Sequence, residues 1–184
     1  TWTQLSSTNN ANFYYVNKMV YDNTTSTLWV GTTQGLNKFN RETEQFTHYT
    51  HNPEQANSLS SDIVLFIYED QSDRLWLGTK GGGLNRLDRE TGQFTSYTHN
   101  PANPHSLSSN TVSSIVEDRL GYLWLATSSW YQFYHGKALE KFDPETEQFS
   151  HYTHNPNIVS SLKENLVFSL LLDNSGILWI GTSF

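Results

Sequence analysis

A short run, Leu-Trp-apolar-Gly/Ala-Thr, occurs four times in this 184-residue chain, around Trp29, Trp76, Trp124 and Trp179, at intervals of 47, 48 and 55 residues. A second marker, Phe-(Thr/Ser)-x-Tyr-Thr-His-Asn-Pro, begins at Phe46, Phe94 and Phe149, 48 and 55 residues apart. Together they place the extra length of the third copy in Ser128 to Lys137. A chain that repeats itself at this period is built from equivalent units, none of which can bury its faces alone. The clearest copy, Ser58 to Pro101, holds four strand-like runs, Ile63 to Asp70, Leu75 to Thr79, Gly83 to Asp88 and Phe94 to His99, separated by turn chemistry. Four strands per period of this length predict an all-β chain of four-stranded antiparallel β-propeller blades rather than a helical solenoid.

The markers divide residues 1–184 into a partial propeller. Residues 1–6 carry Trp2 and Leu5 at the spacing of Phe46 and Tyr49 and are expected to be the outer strand of a preceding or closing blade. Blade 1 is expected at 13–51, blade 2 at 61–99, blade 3 at 110–154 and the first half of blade 4 at 166–184. This is an incomplete ring of about four blades, a fragment of a larger propeller or half of a dimeric one. Each complete blade is followed by Asn-Pro, which stops the outer strand because proline cannot donate to a ladder.

The repetition also decides what the repeated residues do. Each Trp should lie between adjacent blades, where burying an indole stabilises by up to roughly 4–6 kcal/mol. The small residue two places on, Gly31, Gly78, Ala126 or Gly181, leaves room for that packing. Asn23, Asp70, Asp118 and Asp173, each six residues before its Trp, suit the turn between the first two strands, where an Asx side chain accepts from backbone N–H groups and Gly121 and Gly176 supply positive φ. The acid-rich stretches Glu42 to Gln45, Glu90 to Gln93 and Glu145 to Gln148 recur around the ring and are expected to be solvated hairpin turns, not paired catalytic acids. No metal site is expected. A calcium loop needs about six oxygens, and the Asp70 and Asp173 turns do not share a second carboxylate. His48 with His51, and His151 with His154, lie three apart on or at the ends of outer strands and do not converge.

A formal net charge of −7, a pI near 5.4 and the lack of any Lys/Arg run argue against a nucleic-acid groove. The chain has no cysteine, so it has neither disulfides nor thiolate metal ligands. It has no apolar run long enough to span a bilayer, and contact with a membrane is expected only through segments outside it. No cofactor is expected.

Val112 to Asp118 followed by Gly121 to Thr127, and Gly83 to Asp88, resemble the two-component regulator propeller repeats of bacterial sensors. The first copy departs most, with Asn23 for Asp and Ser26 for Gly. The resemblance implies a seven-bladed periplasmic propeller of a membrane sensor, whose cytoplasmic end is commonly a histidine kinase or a diguanylate cyclase, and ligands that are often carbohydrate fragments. It implies no catalytic residue. The expected role is therefore a non-catalytic ligand-sensing or interaction module. Its binding residues are expected in the third-blade insertion, where Trp130, Tyr131, Phe133, Tyr134 and His135 would stack on a small molecule or an oligosaccharide, the alternative being that Trp130 and Phe133 cover the end of a neighbouring blade or make a chain-to-chain contact. Two alternatives stand beside it: a scaffold completed by head-to-tail association of two chains through their incomplete blades, and a propeller enzyme of the lyase or lactonase kind, for which no nucleophile and base converge in sequence.

Overall fold

The computed structural model describes residues 15–22, 24–127 and 139–182, and among these every regular element is a strand. The first sheet is β1 (Val16–Asp22), β2 (Thr27–Thr32), β3 (Gly35–Asn40) and β4 (Gln45–Tyr49), antiparallel in that order. The second is β5 (Val64–Glu69), β6 (Leu75–Thr79), β7 (Leu84–Leu87) and β8 (Phe94–Tyr97). The third is β9 (Ser114–Glu117), β10 (Leu123–Ala126), β11 (Leu139–Asp143) and β12 (Gln148–Tyr152). Strands β13 (Val167–Leu172) and β14 (Leu178–Thr182) form a two-stranded fourth sheet. First strands lie against first strands, β1 on β5, β5 on β9 and β9 on β13. The sheets are therefore stacked as wedges about an inner edge, in an arc that does not close among the described residues. Residues 1–6, expected as an outer strand, lie outside the described residues.

Three apolar clusters occupy the gaps between wedges. Trp29 packs with Val64, Ile67 and Leu77 of the second sheet, Trp76 with Ile115, Leu125 and Phe142 of the third, and Trp124 against Val167, Leu170 and Ile180 of the fourth. Trp29 and Trp76 are 1% and 0% exposed. Trp179 departs from the expectation of an interblade indole. It is 58% exposed, because among the described residues no further sheet covers its face of the fourth. The glycines serve a closer approach than that of the indoles. A Cβ on Gly31 would meet Val64 Cγ1 at 2.7 Å, and one on Gly78 would meet the Val112 carbonyl oxygen at 2.5 Å. The valine at the head of each following wedge thus sits directly against this position.

The first-to-second-strand turn explains why the Asp–Trp spacing is fixed. Asp70 Oδ1 accepts from the backbone N–H of Ser72 and Arg74 at 2.9 Å each, and its Oδ2 accepts from Trp76 Nε1 at 2.7 Å. Asp118 repeats this with Leu120, Tyr122 and Trp124, and Asp173 with Ser175, Ile177 and Trp179. The fourth turn residue is left-handed in all three, at Asp73 (φ 59), Gly121 (φ 83) and Gly176 (φ 86). In the first sheet the ladder corrects the register. Val20 pairs with Trp29 as Tyr68 pairs with Trp76, so Asp22, not Asn23, holds the place of Asp70. Asn23 itself lies outside the described residues. With one more residue in its turn, Asp22 accepts from the backbone N–H of Thr24 and Thr25 and from Arg89, and Trp29 Nε1 has no acceptor among the described residues.

Candidate functional site

The second-to-third-strand connections and the interblade linkers share one edge of the arc. In the first two wedges the connection is tight: Thr32 Oγ1 donates to Gly35 O at 3.0 Å, and Thr79 Oγ1 to Gly83 O at 2.9 Å. In the third wedge it is the insertion. Trp130, Tyr131, Phe133, Tyr134 and His135 lie outside the described residues, and the described structure shows the stem only. Thr127, at one end of the stem, donates to Glu140 Oε1 at 3.3 Å at the other.

Around that stem the third wedge carries a polar cluster that sequence reasoning missed. The ladder pairs Asn37 with His48, Asn85 with Ser96 and Glu140 with His151. Each third-strand side chain also receives the linker entering its own wedge where that linker is described: Asn85 accepts from Ser60 N at 3.1 Å, and Glu140 from Ser108 N at 3.0 Å and from the Ser108 hydroxyl. Glu140 is fully buried, so desolvation pushes its carboxyl up, against the Ser108 donors and His151, which pull it down. The signal was the single change from Asn to Glu in Leu36-Asn37-Lys38, Leu84-Asn85-Arg86 and Leu139-Glu140-Lys141.

The repeated His-Asn-Pro proves to be a linker clasp. The Nδ1 atoms of His51, His99 and His154 each donate to the carbonyl of Leu59, Leu107 or Leu162, at 2.8, 2.8 and 2.6 Å, since a carbonyl only accepts. Their backbone N–H groups donate to Asp62, Asn110 and Asn165 at 2.7, 2.6 and 2.6 Å. Leu59 and Leu107 are thereby held in the interblade cores.

The opposite edge is laced by charge. Arg89 bridges Asp22 at 2.8 Å and Glu69, Arg74 joins Asp70 at 2.6 Å to Glu145 at 3.3 Å, and Tyr97 donates to Glu147 at 2.6 Å. The acidic hairpin of the third wedge is thus an interblade contact and not simply a solvated turn. Burial works to raise the Asp22 carboxyl, but the Thr25 and Thr24 donors and the Arg89 charge hold it below its ordinary value. Glu117 is raised by burial, with the Gln71 N–H opposing.

Clefts open between wedges among the described residues. One of about 460 Å³ lies between the third and fourth sheets, walled by Trp124, Leu139, Tyr152, Ile158, Leu178 and Ile180, and its Leu139 wall is also the stem of the insertion. A polar one of about 530 Å³ runs between the first two sheets beside His48, Tyr49, Gln55 and Gln93, and a third of about 350 Å³ lies beside Arg74 and Glu145. Among the described residues, no group of three or more His, Cys, Asp or Glu is arranged to hold a metal ion.

Wedges of four antiparallel strands stacked through their first strands, with an indole in each gap, define a β-propeller. Three of the repeated units match the model of the two-component regulator propeller family. The family model, two component regulator propeller, matches residues 58–81, 106–129 and 161–184. Among solved structures, the chain is similar to the extracellular domain of BT3049 from B. thetaiotaomicron, described as a hybrid two component system, with 28% identity over 98% of this chain and 24% of that one at a TM-score of 0.80. The extracellular domain of BT4673 from the same organism shares 20% identity over 97% of this chain and 22% of its own, at 0.73. PorZ of Porphyromonas gingivalis, a surface component of the type-IX secretion system, shares 21% over 100% and 27%, at 0.72. The chain spans about a quarter of the length of these structures. No curated protein matches the sequence.

Proposed function

We propose that this chain is part of an extracytoplasmic, non-catalytic sensing propeller of a two-component-type receptor. The observation that carries the reading is the joint one of three family repeats and 28% identity, across nearly the whole chain, to an extracellular domain of a hybrid two-component system. The polar clusters among the described residues support it. Asp70, Asp118 and Asp173 are engaged by their own turns and indoles, and Glu140 by Ser108, Thr127 and His151. Each has a structural partner where an enzyme would present a group to substrate.

The ligand surface is the edge that carries the insertion, with Trp130, Tyr131, Phe133, Tyr134 and His135 supplying rings for a small molecule or an oligosaccharide and the cleft beside Leu139 and Trp124 as its floor. The test is a thermal-shift screen of the chain against a panel of oligosaccharides. A sugar that raises the midpoint for the native chain should fail to do so for Trp130→Ala with Tyr134→Ala. An undiminished shift in that variant would move the site away from the insertion.

One observation favours a second reading. Leu171 and Trp179 at one end of the arc, and Val16 and Met19 at the other, are exposed, whereas their counterparts at the internal interfaces pack between sheets. These ends suit head-to-tail association with a second copy. Sedimentation velocity at rising concentration should then show dimers that Trp179→Glu abolishes; a concentration-independent monomer would remove the reading.

A further inference from the structure

Glu140 and His151 differ from the corresponding pairs of the other two complete wedges in chemistry that can be switched. Between Asn85 and Ser96 neither side chain titrates, and in the first wedge His48 faces the neutral amide of Asn37. In the third, a buried carboxylate faces an imidazole that is 12% exposed, Nδ1 to Oε2 at 2.8 Å, and the other ring nitrogen, Nε2, lies 2.9 Å from the carbonyl oxygen of Pro104. Pro104 belongs to the linker that joins the second wedge to the third.

The proton inventory of this arrangement is constrained. A carbonyl oxygen can only accept, so Nε2 must carry a hydrogen for the Pro104 bond to exist. A neutral imidazole has one N–H, and Nε2 uses it. The Nδ1 to Oε2 bond therefore needs a further proton, held between ring and carboxyl. If that proton leaves, the ring can donate to Glu140 or to Pro104 but not to both. The other described donors on Glu140, from Ser108 and Thr127, are uncharged and cannot replace it.

Among the described residues, the charged and titratable groups packed around the pair do not duplicate it. On β11, Lys141 lies over the Tyr122 ring at 3.5 Å, beside Trp124. On β12, the Tyr152 ring lies tilted against Trp124. Beyond it, His154 is spent on Leu162. In the linker, His105 turns its side chain to solvent while its carbonyl accepts from Phe149 N at 2.9 Å. Thr127 follows β10, and among the described residues of the fourth sheet Leu178 and Ile180 line the adjoining cleft.

We propose that Glu140 and His151 form a proton-operated latch that clasps the linker, residues 100–108, onto the third wedge and releases its Pro104 end when the shared proton is lost. The latch is closed at lower pH and opens as pH rises, because opening is a deprotonation. Since Thr127 and Glu140 also close the stem between β10 and β11, the state of the latch is felt where the third-to-second-strand connection is anchored.

The test is nitrogen NMR of the 184-residue chain with labelled histidine, His151 being assigned by its loss in His151→Gln, combined with amide exchange across a pH series from about 5 to 9. The expected result is a His151 ring protonated on both nitrogens at the acid end, losing one proton as pH rises. Exchange in residues 100–108, corrected for its intrinsic pH dependence, should rise roughly tenfold over the same interval. The linker at 52–60, which meets the neutral Asn85, should show no such step, and Glu140→Gln should remove it from 100–108. A His151 that is singly protonated throughout, or a step that persists in Glu140→Gln, would overturn the latch.

Discussion

The indole N–H of Trp76 donates to Oδ2 of Asp70, six residues earlier, at 2.7 Å, and both residues are buried. One carboxylate thus closes the turn and satisfies the largest side chain of the interblade core. Removing it leaves a buried donor without an acceptor, whose cost depends on how far its own indole is from water. Asp70→Ala should lower stability by about 2–3 kcal/mol, Asp118→Ala by less because Trp124 is only partly buried, and Asp173→Ala least because Trp179 is exposed. Urea titration of the three variants checks the order.

Tyr97 gives the protein an alkaline limit. Burial, then the hydrogen bond to Glu147, raise its phenol above the ordinary 10.0, against the Arg86 charge. The folded chain therefore keeps a proton that the unfolded chain releases at about pH 10. That contribution is complete below this pH and is lost as pH rises toward the folded value. Denaturation midpoints measured from about pH 9 to 11 should fall with pH, and Tyr97→Phe should flatten the decline while costing about 0.5–1.5 kcal/mol at neutral pH.

The approach of each valine to the preceding wedge sets the tolerance at the small position after the Trp. A methyl on Gly78 would meet the backbone oxygen of Val112, which cannot move without shifting β9, whereas one on Gly31 meets a Val64 side-chain methyl. Gly78→Ala should cost about 1–3 kcal/mol and Gly31→Ala less. Calorimetric midpoints of the two variants decide it.

Asp73 holds φ 59 at the turn position that Gly121 and Gly176 fill in the next two wedges. An L side chain pays for the left-handed region there, and glycine does not. Because Asp73 is exposed and, among the described residues, no ion pair or hydrogen bond of its side chain opposes the change, Asp73→Gly should stabilise the chain by up to about 1 kcal/mol, read as a higher thermal midpoint.

The spacing of Trp29, Trp76, Trp124 and Trp179 was enough to announce four equivalent antiparallel wedges and the class of propeller. The placement of Trp29 and Trp76 in the gaps follows from the same spacing, since an indole recurring at one register has one place to be buried. The linker histidines were visible as a repeated His-Asn-Pro, but their partners, eight residues on in the chain, were not, because that bond depends on the path of the linker. Asp22 escaped for a local reason: one added turn residue moves the carboxylate without changing the composition of the turn.

What the sequence determined by itself is periodic: the strands, the turn acids and the indoles, each dictated by residues near in the chain. Only the tertiary structure decided which neighbours those residues meet. It buries Trp76 and leaves Trp179 in water, because an indole is covered only by the wedge that follows it. It also turns an Asn-to-Glu change on one strand into a buried carboxylate that receives a linker 32 residues away at Ser108, because the stacking of wedges folds that linker across the strand.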